Sequence, residues 1–244
     1  MQDLSIFHRN LRIEDNAALY NASLNQDYSS VFIFDKAYWS QSDRSVNQLK
    51  FALDSLNELE LELKKFNVNL YVFEGSLRDF ANYINQNHPN LNLHMNHTTE
   101  TEYFSRNLKA LKQNFSLSVN EYKDFGIQIK NQNRDCWASD WQNYMKSETY
   151  KIPLVCKKFK TMNLPKFSEF KNYVNNYSAH IQKGGTISGK GLLTSFLEKR
   201  CKGYSKKMSN PSDAVIACSR LSPHIAFGTL SIRNIYQELE KNIN

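Results

Sequence analysis

The first 125 residues alternate short apolar segments with stretches of helical periodicity. Val31–Phe34, which ends at Asp35, is an apolar run typical of a strand buried on both faces. Between Ala52 and Phe66, apolar residues recur at steps of three and four, which indicates an amphipathic helix. The predicted strands are Leu4–Phe7, Val31–Phe34, Asn69–Phe73, Leu91–Met95 and Leu117–Tyr122. Strands joined by helices predict an α/β fold: a five-stranded parallel, Rossmann-like sheet with helices on both faces.

Further helices are predicted between the other strands, over Asn16–Ala22, Leu77–Ile84 and Glu100–Phe115. In such sheets, ligands bind beyond the carboxyl ends of the strands. No G-x-G-x-x-G motif follows the first strand, which argues against an ordinary dinucleotide site. At the end of that strand, Arg9, Arg12 and Asp15 are expected to form ion pairs or helix caps.

The character of the sequence changes after the fifth strand. Residues 147–185 are rich in Lys and Asn, contain Pro153 and Pro165, and have little periodicity. Helical patterns return over Gly189–Arg200 and from Ser231 onwards. These shifts predict an α/β domain over residues 1–130, a connector over 131–185 and, over 186–244, a helical region that begins a new domain.

Charge is distributed unevenly along the chain. Residues 1–150 carry 15 Lys and Arg against 19 Asp and Glu, whereas residues 151–244 carry 16 against 5. The net charge of +7 therefore originates in the second part. Such a basic segment favours a polyanionic partner such as nucleic acid, the alternative being a basic surface that only aids solubility.

The four cysteines lack the spacing of a zinc site or a secreted disulfide framework, so we expect reduced thiols and no metal. The N-terminus has no signal-peptide pattern, and no apolar stretch is long enough to span a bilayer. These features predict a cytoplasmic protein that does not insert into a membrane.

The run Cys218–Gly228 is the strongest candidate for a binding site. Ser222 is a suitable N-cap, and Pro223 suits the first position of a helix. A helix start with hydroxyls and the guanidinium of Arg220 could hold a phosphate or pyrophosphate. The alternative is an ordinary capped helix with a surface arginine.

This run, Cys-Ser-Arg-Leu-Ser-Pro-His-Ile-Ala-Phe-Gly, resembles the flavin-binding signature of the photolyase/cryptochrome family. The opening Phe7–Asn16 is similar to the start of that family's sequences, and Gly184-Gly185 and Phe196-Leu197 resemble the entry to its flavin domain. His224 stands where the family commonly has Tyr, and is expected to be a partly exposed helix residue. The three tryptophans, Trp39, Trp137 and Trp141, are expected to be packing residues.

The resemblance implies a helical domain that binds FAD, and light-driven repair of cyclobutane pyrimidine dimers in DNA by electron transfer from the reduced flavin. That activity is the one of a deoxyribodipyrimidine photo-lyase, a carbon–carbon lyase. The protein is expected to be a monomer. The implied FAD contacts are Tyr204, Cys218, Ser219, Arg220, Leu221 and Ser222. An antenna chromophore is possible, although Glu102-Tyr103 replaces the Asn-Glu of folate-binding members.

The family's sequences usually continue for about as many residues again, so no catalytic residue is expected in this chain. The 244-residue chain alone is therefore expected to be inactive and to bind FAD poorly. Two alternatives stay open: a cryptochrome-type blue-light photosensor, and an α/β-domain protein with no catalysis.

Overall fold

A single parallel sheet forms the centre of the α/β domain. The structure, a computed structural model, describes residues 2–98, 109, 117–127, 134–158, 161–170 and 181–243. The strands are β1 (Asp3–Phe7), β2 (Tyr28–Phe34), β3 (Leu70–Glu74), β4 (Asn92–Asn96) and β5 (Ser118–Tyr122). Their order is β3-β2-β1-β4-β5, with every pairing parallel. The five predicted strands and their parallel arrangement are confirmed, whereas the helix predicted over Glu100–Phe115 lies outside the described residues.

Helices of the α/β domain cover both faces of the sheet. They are α1 (Ala17–Ser23), α2 (Lys36–Trp39), α3 (Val46–Lys64) and α4 (Leu77–Asn87). Leu19 of α1 and Leu56 of α3 belong to one core cluster, and Phe80 and Ile84 of α4 belong to the cluster on the other face. Reciprocal side-chain caps begin the two longest of these helices, at Ser45 for α3 and at Ser76 for α4. The prediction of helices on both faces is confirmed.

The segment predicted as a connector packs closely on the α/β domain. It contains α5 (Trp137–Lys146) and α6 (Phe167–Phe170). The Tyr28 hydroxyl donates to the Leu154 carbonyl at 2.6 Å, and the Val72 N–H donates to the Pro165 carbonyl at 2.9 Å. Its described buried side chains include Met145, Cys156, Met162, Phe167 and Phe170. Backbone pairing and isolated apolar anchors, which leave no periodic pattern, therefore hold this segment in place.

The remaining helices form a region that begins at the Gly184-Gly185 pair. They are α7 (Thr186–Ser195), a π-helical segment (Phe196–Arg200), α8 (Tyr204–Lys207), α9 (Pro211–Ala217), α10 (Ser222–Ala226) and α11 (Ile232–Ile243). A side chain at Gly184 would collide with the Phe51 carbonyl and the Ser55 hydroxyl of α3. The pair therefore lets the chain approach α3 closely before α7 begins.

The tryptophans differ in their surroundings. Trp39 packs against the core, and Trp141 meets Tyr236 of α11 edge-on with ring centroids 5.5 Å apart. Trp137 is 48 % exposed at the start of α5, so the prediction that all three are packing residues is wrong for this one. All four cysteines are free thiols. Within the described ranges, no helix has the length and apolar character needed to cross a membrane.

Candidate functional site

The Cys218–Ser222 run forms a loop between α9 and α10. Helix α10 begins at Ser222 itself, and Leu221 occupies the cap position without a side-chain cap. The prediction that Ser222 caps this helix is therefore wrong by one position; Pro223 is tolerated because the first-turn N–H groups have no helical partner. Arg220 has a left-handed backbone with φ 63°, which turns the chain sharply. The Ser222 and Arg220 side chains are exposed, so the loop presents a hydroxyl and a cation outward.

The guanidinium of Arg200, in the π-helical segment, binds the backbone of this loop. It donates to the carbonyl of Cys218 and, at 3.3 Å, to the carbonyl of Ser219. It also donates to the Leu192 carbonyl at 2.6 Å and the Ser195 hydroxyl at 3.0 Å. One side chain therefore joins the loop to the end of α7.

Tyr204 is connected to the same arginine through an aromatic ring. It meets Phe196 edge-on with ring centroids 5.5 Å apart, and the Arg200 guanidinium lies 5.7 Å from the centre of the Phe196 ring. Tyr204 is 36 % exposed. Since Tyr204 and the loop both contact the π-helical segment, the structure gathers the predicted flavin contacts on one side of the helical region.

Three further contacts fix the loop. Leu221 is buried in a cluster with Leu193, Leu230 and Ile235, so its side chain anchors the loop instead of facing a ligand. The Gln182 side-chain amide donates to the Arg220 carbonyl at 2.7 Å. The Ser219 hydroxyl accepts from the Leu221 N–H at 3.4 Å. The exposed side chains of the loop are the Ser222 hydroxyl and the Arg220 guanidinium, which suit an anionic group such as a pyrophosphate.

The end of the signature run docks directly on the α/β domain. The Leu11 N–H donates to the Phe227 carbonyl at 3.1 Å, and Arg12 donates to the Gly228 carbonyl at 3.0 Å. Gly228 has φ 62°, and a side chain there would collide with the Arg9 carbonyl. The glycine is needed both for the turn and for this close approach. The opening segment and the signature run, whose residues are 216 apart in the Arg12–Gly228 contact, thus form a single structural unit.

Buried charges complete this interface. Arg12 pairs with Asp124, and Asp15 pairs with Arg233 of α11. The Arg233 guanidinium lies 4.8 Å from the centre of the Tyr144 ring. Arg12 and Asp15 therefore form the ion pairs that the sequence predicted, with partners far along the chain. Burial raises the pKa of the Tyr144 hydroxyl, so this side chain stays neutral beside the charges.

The structure contradicts the prediction that His224 is a partly exposed helix residue. Its side chain is fully buried, its ring lies 5.0 Å from that of Phe51, and its Nδ1 is 2.8 Å from the Thr229 hydroxyl. Burial lowers the pKa of His224 from 6.5 to about 4, although a backbone hydrogen bond at Gly185 opposes the shift. The prediction was wrong because α10 is pressed between α3 and α7.

A second cleft lies at the carboxyl ends of β1 and β2. Ile6, Phe32 and Ile33 contribute to its apolar lining. His8 and Arg9 supply its polar edge. Burial and the positive charges of Arg9 and Arg44 lower the pKa of His8 to about 3. Asp35 lines the cleft as well, so its polar edge carries one cation and one carboxylate beside a neutral His8, and its largely apolar walls suit an aromatic ligand.

Comparisons with known proteins agree with this architecture. Residues 4–167 match the family model described as DNA photolyase. The chain is 26 % identical to the deoxyribodipyrimidine photo-lyase of Buchnera aphidicola over all of this chain and 54 % of that protein. It is 22 % identical to cryptochrome-2 of Gallus gallus over 96 % of this chain and 45 % of that protein. The chain thus spans about half the length of these curated relatives.

Solved structures share the fold. An archaeal photolyase from Sulfolobus tokodaii, described with two FAD molecules and a novel light-harvesting cofactor, superposes with a TM-score of 0.75 at 22 % identity. The superposition covers 98 % of this chain and 55 % of that protein. A cryptochrome from Synechocystis gives a TM-score of 0.72 at 20 % identity, covering 99 % and 55 % respectively.

Sequence reasoning missed two residues that shape the site, Arg200 and Gln182. Their contacts are with backbone carbonyls, which leave no side-chain pattern in the sequence. A weak signal existed for Arg200, because it lies four residues after Phe196 and four before Tyr204. The prediction used the aromatic residues on either side and passed over the arginine between them.

Proposed function

Because this chain belongs to the DNA photolyase family, we propose that it forms the α/β domain and part of the flavin site of a photolyase-like flavoprotein. The activity proposed is light-driven repair of cyclobutane pyrimidine dimers in DNA, by a cytoplasmic monomer. The observation that carries the proposal is the Cys218–Ser222 loop, which exposes the Ser222 hydroxyl and the Arg220 guanidinium and is followed by the Phe227–Gly228 segment that docks on the α/β domain.

In this proposal the exposed hydroxyl of Ser222 and the backbone N–H groups of the loop bind the phosphates of FAD. Tyr204 lies against the cofactor, and Leu221 anchors the loop from the interior. Reduced FAD, when bound and excited by light, would supply the electron that splits the dimer. In the relatives, the residues that lie outside the half covered by this chain would complete the flavin pocket and contact the damaged bases.

Exposed basic residues in the Cys218–Ser222 loop and in the segment that carries Tyr204 support DNA as the partner. They are Lys202, Lys206, Lys207 and Arg220. Cations grouped on one segment neutralise backbone phosphates and make binding dependent on salt. A repair enzyme that extracts a damaged base from the duplex needs such a surface.

A cryptochrome-type photosensor is the second candidate, because the relatives include cryptochrome-2 of Gallus gallus. The two functions predict different outcomes for one substrate: the enzyme reverses pyrimidine dimers under light, whereas the photosensor does not. We favour repair because of the +7 net charge and its concentration after residue 150.

A light-harvesting chromophore in the cleft at the ends of β1 and β2 is part of the proposal. Its apolar and aromatic walls, with Tyr38 and Trp39 among them, support a flat aromatic molecule there. Chromatography of the chromophores released by denaturation identifies what is bound, and a protein that releases FAD alone would contradict this part.

The test uses the protein as expressed from its own gene. Flavin content is measured by absorption, and repair by the loss of dimers from an irradiated oligonucleotide under blue light, with a dark sample as control. Bound FAD with light-dependent repair supports the proposal, and bound FAD without repair favours the photosensor. Absence of flavin from a gene product that carries the flavin-domain residues beyond these 244 overturns the proposal and favours an α/β-domain protein with no catalysis.

A further inference from the structure

We propose that Arg200 is a positioning residue that shapes the Cys218–Ser222 loop into an anion-binding cradle and aligns it with Tyr204. The role in FAD binding rests on the function proposed above, whereas the cradle itself can be tested without FAD. Arg200 would not touch the anion; it would act through the backbone it holds.

The first argument is how the guanidinium is used. Its hydrogen bonds reach four acceptors, the carbonyls of Leu192, Cys218 and Ser219 and the hydroxyl of Ser195. A guanidinium has five N–H donors in a rigid plane, and the four hydrogen bonds of Arg200 use four of them within the protein. Arg200 therefore holds the backbone of the loop, and its guanidinium is directed at backbone carbonyls.

The second argument comes from peptide geometry. In a planar trans peptide the C=O and the following N–H point in opposite directions. Because Arg200 holds the carbonyls of Cys218 and Ser219, the N–H groups of Ser219 and Arg220 are directed to the other side of the loop. Successive N–H groups beside a left-handed residue form a concavity that binds anions, and Arg220 has φ 63°.

The third argument is the π-helical segment that carries Arg200. Its i to i+5 pattern, seen in the 2.8 Å bond from the Cys201 N–H to the Phe196 carbonyl, inserts an extra residue into the turn. This places Arg200 one wide turn after Ser195, whose hydroxyl it contacts, and beside the loop. The same turn presents Phe196 to Tyr204. The distortion therefore positions both parts of the site at once.

The experiment follows the amide signals of Ser219 and Arg220 by NMR while the 244-residue chain is titrated with inorganic pyrophosphate. Three variants are compared with wild type: R200A, R200K and K199A. Lys199 is an exposed neighbour in the same segment, so K199A removes an equal charge without touching the loop. We expect R200A and R200K each to weaken binding by about tenfold, and K199A by about twofold or less.

R200K decides between positioning and charge. An ammonium keeps the charge but cannot bond several carbonyls in one plane. Wild-type affinity in R200K would overturn the proposal, as would the absence of any saturable shift at Ser219 and Arg220 in the wild type. If either variant fails to fold, circular dichroism reveals it, and the remaining variants still decide between the two roles.

A second measurement is independent of any ligand. The Cys218 thiol is only half-buried, so its alkylation rate by iodoacetamide reports the packing of the loop, with the exposed Cys136 as internal reference. We expect alkylation of Cys218 in R200K to be about tenfold faster than in wild type. An unchanged rate would overturn the positioning role. Flavin content of the gene-encoded protein separately tests the proposed function, so the two failures are distinguishable.

Discussion

The carboxylate of Asp15 accepts two hydrogen bonds from the guanidinium of Arg233, which lies 218 residues later in the chain. Both side chains are buried, and the Ser231 hydroxyl donates to the same carboxylate. Asp15 follows β1, whereas Arg233 is the second residue of the last helix, α11. This ion pair therefore joins the α/β domain to the helical region, close to where Gly228 docks.

Removing Arg233 should leave the Asp15 carboxylate buried without its counter-ion. We expect Arg233→Leu to lower the free energy of unfolding by about 3–5 kcal/mol, measured by urea denaturation. The control is Lys190→Ala, which removes the exposed ion pair to Glu14 and should cost less than about 1 kcal/mol. Equal losses in the two variants would contradict the structural importance of the buried pair.

Gly228 and Gly191 offer a matched pair of glycine substitutions. Gly228→Ala should cost at least about 2 kcal/mol, because of its left-handed backbone and the collision with the Arg9 carbonyl. Gly191→Ala should be neutral or stabilising by up to about 1 kcal/mol, because that helical site has open space. Thermal unfolding measures both, and a tolerated Gly228→Ala would argue against the docking described.

Acid should destabilise the fold through His224. The buried ring binds a proton only near pH 4, whereas the unfolded chain binds one near pH 6.5, so stability is lost as the pH falls between these values. His8, whose pKa is about 3, acts in the same direction. We expect His224→Phe to reduce the slope of stability against pH by roughly 1 kcal/mol per pH unit in that window. Urea denaturation at pH 7 and pH 5 measures it, and an unchanged slope would contradict the burial.

The 244-residue chain alone should retain FAD at well below one molecule per chain. Tyr204 is 36 % exposed and Ser222 is exposed, so the described residues form one wall of a site and cannot enclose an isoalloxazine ring. Absorption of the protein purified with excess FAD and then desalted measures the occupancy. Near-stoichiometric flavin would show that this wall is sufficient.

DNA binding should depend on the lysines beside the site. The double variant Lys206→Ala/Lys207→Ala should reduce the slope of log K against log salt by about 0.9 for each DNA phosphate that it no longer neutralises. Fluorescence anisotropy with a duplex oligonucleotide measures the slope. Lys64→Ala on α3 is the control, since that lysine pairs with Glu60 in the acidic part of the chain and should leave the slope unchanged.

The sequence pattern predicted the sheet well, because the buried residues of each strand form a short run of adjacent apolar residues. The apolar run Val31–Phe34 indicates a buried strand, and the structure extends that strand back to Tyr28. The earlier residues Ser29 and Ser30 are buried but polar, so hydropathy alone does not include them. The packing of the connector escapes prediction for a related reason: its buried residues are isolated, and its hydrogen bonds come from backbone.

Sequence by itself determined the α/β fold and the basic second part, and it singled out the Cys218–Gly228 run as the candidate binding site, since these depend on local composition and on motifs. Only the tertiary structure decided how that run is held. Arg200 donates hydrogen bonds to backbone carbonyls, and His224 is buried by two other helices. Arg233 forms an ion pair with Asp15, which lies near the other end of the chain. These contacts depend on which segments the fold brings together, and pairing between distant residues has no local pattern from which it could be predicted.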